Sequence, residues 1–219
     1  KNRLKKSSWV NYPENNVMAS DKIEQLVIAR KHGFKIPETI VTNNYDKVID
    51  FSKKTGGRLV VKPINRGTVI LEGKRKGFFT NILSSDEIKN NSGSIKICPL
   101  IFQEYIEKDF ELRITVIGER CFPVKIRSQE VIDASVDWRK SPYKITYEIF
   151  ELPKEIEKKL IRITRESNLY FTAFDFIVNK KGDYVFLEHN PGGQFAWLEE
   201  MTGIPVGKGL IDFFLEKEI

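Results

Sequence analysis

The chain has 219 residues, 41% of them hydrophobic and 30% charged, the balance of a globular domain of two lobes or of two small domains. No apolar run approaches the roughly 20 residues that cross a bilayer. No apolar segment follows the basic start Lys1 to Lys6, so neither a membrane span nor a secretory signal is expected. A net charge of +6 suits a nucleic-acid binder, but it suits a polyphosphate or acidic-peptide ligand equally well. The basic residues are spread along the chain without a zinc-finger, helix-turn-helix or RNA-recognition pattern, which disfavours nucleic acid. Cys98 and Cys121 have neither metal nor redox spacing, so a reducing cytoplasm is the expected setting.

Residues 1–19 read as an irregular lead-in. Asp21 caps a predicted helix, with Glu24 as its reciprocal partner, and Gly33 ends it. An extended piece follows over 36–42, then a helix that starts at Asn43 or Asn44 and stops at Gly56-Gly57. RLVVKP, residues 58–63, is a short buried strand that ends on Lys62. Residues 64–76 are rich in Gly and Lys and read as a loop. A strand over 77–83, a capped helix over 84–91 and a strand over 100–106 come next. A hairpin turns on Gly118 between 111–118 and 120–128. Residues 129–142 are irregular, 143–150 alternate like an edge strand, and 153–168 form a helix with Pro in its first turn. After a second hairpin, a short helix ends at Gly203 and a last one starts at Val206. Strands and helices mix without a βαβ rhythm, which predicts α+β.

The second hairpin, FDFIVNKKGDYVFLEHNPGGQ, carries the most chemistry. Centred on Lys181 and Gly182 as a two-residue turn, it sets Asp175 opposite Glu188, with Asn190 two residues on and on the same face. Two carboxylates and an amide oxygen then converge, the donor set of a hard cation such as Mg²⁺. The same residues also fit a solvated strand face. Pro191-Gly192-Gly193 ends the strand and lets backbone approach closely. Lys62, beside a loop, can meet phosphates, or it can simply reach solvent. Lys22, in the first turn of a helix, is open in the same way. FQEYIEKDFELR, residues 102–113, joins two strands through a charged linker. Its backbone can meet an adenine edge while Glu111 takes two ribose hydroxyls, or it can be a plain connection.

In chain order these features are a helix Lys, a strand Lys, a loop, the FQEYI hinge, a Glu-x-Arg strand (ELRITVIGER), a basic strand (VKIRSQ) and a hairpin ending LEHNPGGQ. The set resembles the ATP-grasp superfamily of carboxylate ligases over residues 18–216. Within it, FLEHNPGGQFAWLEEMTGIPV is similar to the microviridin-type graspetide synthetases, and Asp137-Trp138-Arg139 matches the Asp-x-Arg motif through which those enzymes hold a precursor peptide. The motif also fits a loop salt bridge.

The resemblance implies an ATP-grasp fold, two α+β lobes with the nucleotide held between them. It implies a first lobe over 19–105, a second over 106–219, and a lead-in over 1–18 that ends a further N-terminal domain. It implies Lys22 and Lys62 on the ATP phosphates, Gln103, Glu104 and Ile106 around adenine, and Glu111 on ribose. Asp175, Glu188 and Asn190 would hold Mg²⁺, Arg127 and Arg113 would face the γ-phosphate and an acyl phosphate, and Asp137 and Arg139 would bind peptide. The loop 64–76 would close over the acyl phosphate. The partner expected is a ribosomal precursor peptide with a helical leader and an acidic core, and a homodimer fits. The chemistry expected is ω-ester or ω-amide ring closure; glutamate or amino-acid ligation, and a nucleotide- or peptide-binding remnant without turnover, fit the same residues.

Overall fold

The structure, a computed structural model, describes residues 9–64, 68–71, 74–77 and 80–216. The lead-in departs from expectation: Pro13–Met18 form a short helix, α1, with Pro in its first turn and no buried residue. Asn11, just before it, ties this segment down. Its buried amide donates to the carbonyls of Phe171 and Pro191 and accepts from the N–H groups of Tyr170 and Phe171, at 2.7–3.0 Å. A buried amide satisfied on both ends fixes the chain without an apolar anchor.

Helix α2, Lys22–Lys31, starts where Asp21 accepts from the N–H groups of Ile23 and Glu24. Strand β1 (Thr39–Thr42), helix α3 (Tyr45–Lys54) and strand β2 (Arg58–Lys62) follow. Strands β3 (Thr68–Leu71) and β4 (Lys74–Gly77) pair as a hairpin within the stretch expected as a loop. Residues 65–67 and 72–73 of that stretch lie outside the described residues. Strand β5 (Asn81–Ser84), helices α4 (Ser85–Asn90) and α5 (Ser92–Ile95), and strand β6 (Leu100–Glu104) complete the first half. Ser84 and Glu87 form a full capping box on α4. The first sheet has the order β1-β6-β2-β5. Val48 and Phe51 of α3 and Ile88 of α4 pack on Leu59 and Phe102 beneath it.

The second sheet is built from β7 (Lys108–Ile117), β8 (Arg120–Ile126), β9 (Tyr147–Ile149), β10 (Phe171–Asn179) and β11 (Tyr184–Asn190), in the order β11-β10-β7-β8-β9. Gly118, at φ +58°, makes the β7–β8 turn. Helix α6 (Lys154–Glu166) precedes β10, and α7 (Ala196–Thr202) and α8 (Val206–Glu216) close the chain. One face of this sheet is apolar: Leu112, Ile114, Phe174, Phe176 and Phe186 pack against Leu160 and Ile163 of α6. Leu26 and Ala29 of α2 and Phe34 belong to the same core, and Lys35 bridges to Val185. Residues 22–35, expected in the first lobe, therefore pack with the second sheet.

Two β-bulges decide what the opposite face presents. The turn after β10 has three residues, not two: Asn179 and Asp183 close it, Asn179 Oδ1 accepts from Lys181 and Asp183, and Gly182 sits at φ +79°. Val178 pairs with Tyr184 and Phe176 with Phe186, a register that would set Asp175 opposite Leu187. An extra residue at Leu187 instead brings Glu188 opposite Asp175. The bulge also lets Phe186 enter the core while Glu188 turns to the other face. The second bulge is in β7. Val178 pairs with Phe110 but Asn179 pairs with Lys108, which leaves Asp109 as the extra residue. Strict alternation would separate Lys108 from Glu111; the bulge puts them together.

Candidate active site

The polar face of the second sheet and the open side of the first enclose a cleft of about 600 Å³. Every residue expected in the site, Arg127 apart, lines it: Lys22, Lys62, Gln103, Glu104, Ile106, Glu111, Arg113, Asp137, Arg139, Asp175, Glu188 and Asn190.

At the acidic end, Asn190 Nδ2 donates to Asp175 Oδ2 at 3.0 Å and to Glu188 Oε1 at 3.4 Å, so the three groups converge. Arg113 Nη1 meets the same Asp175 oxygen at 2.6 Å, while Arg113 Nε is buried and has no hydrogen-bond partner among the described residues. Burial pushes Asp175 up to about 6, with Arg113 opposing and Glu188 adding to the rise. Burial also works against charge on Glu188, yet Lys62, Lys22, the Asn190 hydrogen bond and Arg139 together hold it below the usual carboxylate range. Burial lowers Lys62 in turn, and Glu188 pulls it back. Lys22 is no solvated surface lysine: its Nζ donates to the carbonyl of Pro63 at 2.9 Å, next to Lys62.

A divalent cation fits here after a half-turn of the Asn190 amide, which exchanges nitrogen for oxygen. Among the described residues no group of three or more His, Cys, Asp or Glu assembles, so ligand oxygens or water must complete the shell. Gly193 closes this end. A Cβ there would come within 2.5 Å of Ala173 Cβ and 2.8 Å of Arg113 Nη2. The close backbone approach expected of the Pro-Gly-Gly segment is thus made to Arg113.

At the other end, Gln103 is buried and its Nε2 donates to Thr39 at 3.1 Å. The Glu104 carboxylate accepts from the Glu38 N–H at 3.1 Å, which leaves backbone as its contribution to the cleft. Glu111 is buried, and its Oε1 accepts from Lys108 Nζ at 2.8 Å and from Ser128 Oγ at 2.6 Å. Neither Lys108 nor Ser128 was legible as a site residue. Their contact with Glu111 depends on the Asp109 bulge and on a loop that returns to β7, and neither leaves a local sequence signal.

Two expected site residues have partners within the protein. Arg127 continues the alternation of Lys125, away from the Glu111–Ile126 row, and its guanidinium pairs with Glu148 at 2.8 Å and Glu130 at 3.3 Å instead of facing a phosphate. Asp137 is buried, and its carboxylate accepts from the Thr80 N–H at 2.9 Å and from Arg139 Nε and Nη2 at 2.8 and 2.5 Å. These bonds anchor the loop that carries it. Arg139, with its side chain 49% exposed, is the member of the pair that the cleft offers, and it acts electrostatically on Glu188 and Asp175. Beside it, Trp138 stacks on Trp197 at 4.8 Å, and Tyr147 meets Trp197 edge-on.

This arrangement, cations and paired carboxylates between two antiparallel sheets with a buried acid near the connecting strand, is that of an ATP-grasp fold. The chain belongs to the RimK-like ATP-grasp domain family, whose model matches residues 19–214. It is similar to a RiPP-associated ATP-grasp ligase of Chryseobacterium gregarium, solved with ADP and a leader and core peptide (TM-score 0.85, 33% identity, 95% of this chain). It is also similar to the macrocyclase MdnC of Microcystis aeruginosa, bound with precursor peptide MdnA (TM-score 0.81, 29% identity, 95% of this chain). The chain covers 63% of each of those solved chains. The alpha-aminoadipate–LysW ligase LysX of Sulfolobus acidocaldarius is 30% identical over 120 residues, 53% of this chain and 42% of that protein. Among the described residues no helix is long and apolar enough to cross a membrane.

Proposed function

We propose that this cleft binds Mg²⁺ and ATP, activates a side-chain carboxylate as an acyl phosphate, and joins it to a hydroxyl or amine of the same ribosomal precursor peptide. The observation that carries the reading is the convergence of Lys62, Arg113 and Arg139 on the Asp175–Glu188–Asn190 set, within one cleft that also holds Glu111. Bound Mg²⁺ would supply charge neutralisation on the transferring phosphoryl group. Asp175, Glu188 and Asn190 would hold it. Gln103 and the backbone of Glu104 and Ile106 would frame adenine, and Glu111 would accept from the ribose hydroxyls. Lys22 and Lys62 would grip the phosphates. Arg113 and Arg139 would balance charge on an acyl phosphate, a role expected of Arg113 together with Arg127. The expected closure of loop 64–76 over the acyl phosphate falls partly outside the described residues. Phosphoryl transfer needs positioning and charge more than covalent catalysis, and this set of side chains supplies both.

A peptide substrate is supported by the two peptide-bound relatives, and an acidic core by the +6 charge. The test is incubation with ATP, Mg²⁺ and a Thr- and Glu-rich precursor peptide, read by mass spectrometry. Ring closure removes one water, about 18 Da per ring, since the new ester or amide replaces an acid and a nucleophile. A gain in mass would instead favour amino-acid ligation, the reading that similarity to LysX supports. Nucleotide binding without phosphate release would identify a remnant that lost turnover. A helical leader on the peptide, a homodimer of the enzyme and a cytoplasmic setting remain part of the proposal.

A further inference from the structure

We infer that Lys108 and Ser128 are positioning residues that hold Glu111 in the one orientation able to read a ribose diol, and so set the preference of the cleft for ribonucleotides. The inference rests on the reading of Glu111 as the ribose acceptor. A carboxylate on a strand normally rotates about its last torsion and presents either oxygen. Here Oε1 accepts from two buried donors, Lys108 Nζ at 2.8 Å and Ser128 Oγ at 2.6 Å. The lysine is itself fixed, because it also donates to the carbonyl of Val136 at 3.1 Å, and its side chain is only 3% exposed. With Oε1 engaged twice, Oε2 is the oxygen left to accept from a ligand.

The placement is costly to build. A lysine buried to this degree is tolerated only when paired, and charge-assisted bonds in a dry setting are stronger than neutral ones. It also needs the Asp109 bulge, which turns Lys108 onto the cleft face. Bulges that re-aim a side chain are over-represented next to active sites. The Val136 contact ties the same lysine to the loop that carries Asp137 and Arg139, so the ribose end and the peptide-facing loop share one anchor.

The test measures binding of ADP and of 2′,3′-dideoxy-ADP, with Mg²⁺, by calorimetry on the 219-residue chain. The unaltered protein should prefer ADP. Glu111→Gln should reduce that preference towards unity; if it does not, Glu111 does not meet the ribose, and the inference falls with that reading. Lys108→Met and Ser128→Ala should each shrink the preference about tenfold, the scale of one charge-assisted hydrogen bond, while dideoxy-ADP affinity holds. Lys108→Arg should restore part of it. If Glu111→Gln removes the preference but Ser128→Ala and Lys108→Met leave it intact, the clamp is overturned and the ribose reading stands. Should Lys108→Met not fold, Ser128→Ala alone decides, since it deletes a single hydroxyl.

Discussion

At the residue scale, charge is arranged unevenly on purpose-built neighbours. Asp175 is pushed up by burial and Glu188 is held down by lysines, although both face one site. Glu188→Gln should therefore remove the more firmly ionised of the two carboxylates and weaken Mg²⁺-dependent ADP binding by at least about tenfold, measurable by calorimetry. His189 lies between the two metal-type residues in sequence but points into the apolar core beside Phe174, where Thr172 meets its ring at 3.1 Å. Burial lowers it to about 4. The unfolded chain then takes up a proton near its ordinary 6.5 while the folded chain does not, so stability present at pH 7 is lost as pH falls towards 4. In magnesium-free protein, denaturant unfolding should show a loss of about 2 kcal/mol between pH 7 and 5, absent in His189→Phe. Cys121 is pushed up to about 12, first by burial and then by Glu157. Iodoacetamide at pH 8 should label exposed Cys98 and spare Cys121 in the native protein.

At the element scale, the hairpin shows how much of the site could be read from sequence. Alternation and a central turn place Asp175 opposite Glu188, and the structure has that pairing, but by another route. The turn is longer by one residue because Asn179 caps it with its own side chain, and the Leu187 bulge restores the register. Deleting Leu187 should remove the bulge while leaving Glu188 next to Phe186, on the cleft face and opposite Asp175, so calorimetry should show that Mg²⁺-dependent nucleotide binding persists. The same parity rule explains the misplaced arginine. VKIR looked like a phosphate-facing strand, yet Arg127 shares the alternation of Lys125 and turns to Glu148. Gly193 was legible as a close approach, though its neighbour was not. Gly193→Ala should cost about 1–3 kcal/mol by overpacking against Ala173, and it should weaken nucleotide binding by displacing Arg113, seen together as a lower Tm and a higher Kd for ADP.

At the scale of the whole molecule, the α+β class and the order of the motifs along the chain were readable because each rests on local pattern. What sequence did not reveal is how distant parts meet. Asn11 reaches Phe171 and Pro191, and α2 joins the core of the second sheet instead of the first, because its apolar residues carry no mark of which sheet they cover. As a result Lys22, at the start of α2, is carried by the second sheet, while Lys62, which it adjoins through Pro63, is carried by the first. The lysine pair thus spans both halves of the cleft. The central claim, that this cleft is a Mg²⁺–nucleotide site, is tested most directly by titrating ADP into the chain with and without Mg²⁺, in the unaltered protein and in Glu188→Gln. The account predicts binding that Mg²⁺ strengthens and that the substitution largely removes. Nucleotide binding that ignores both Mg²⁺ and Glu188 would contradict it.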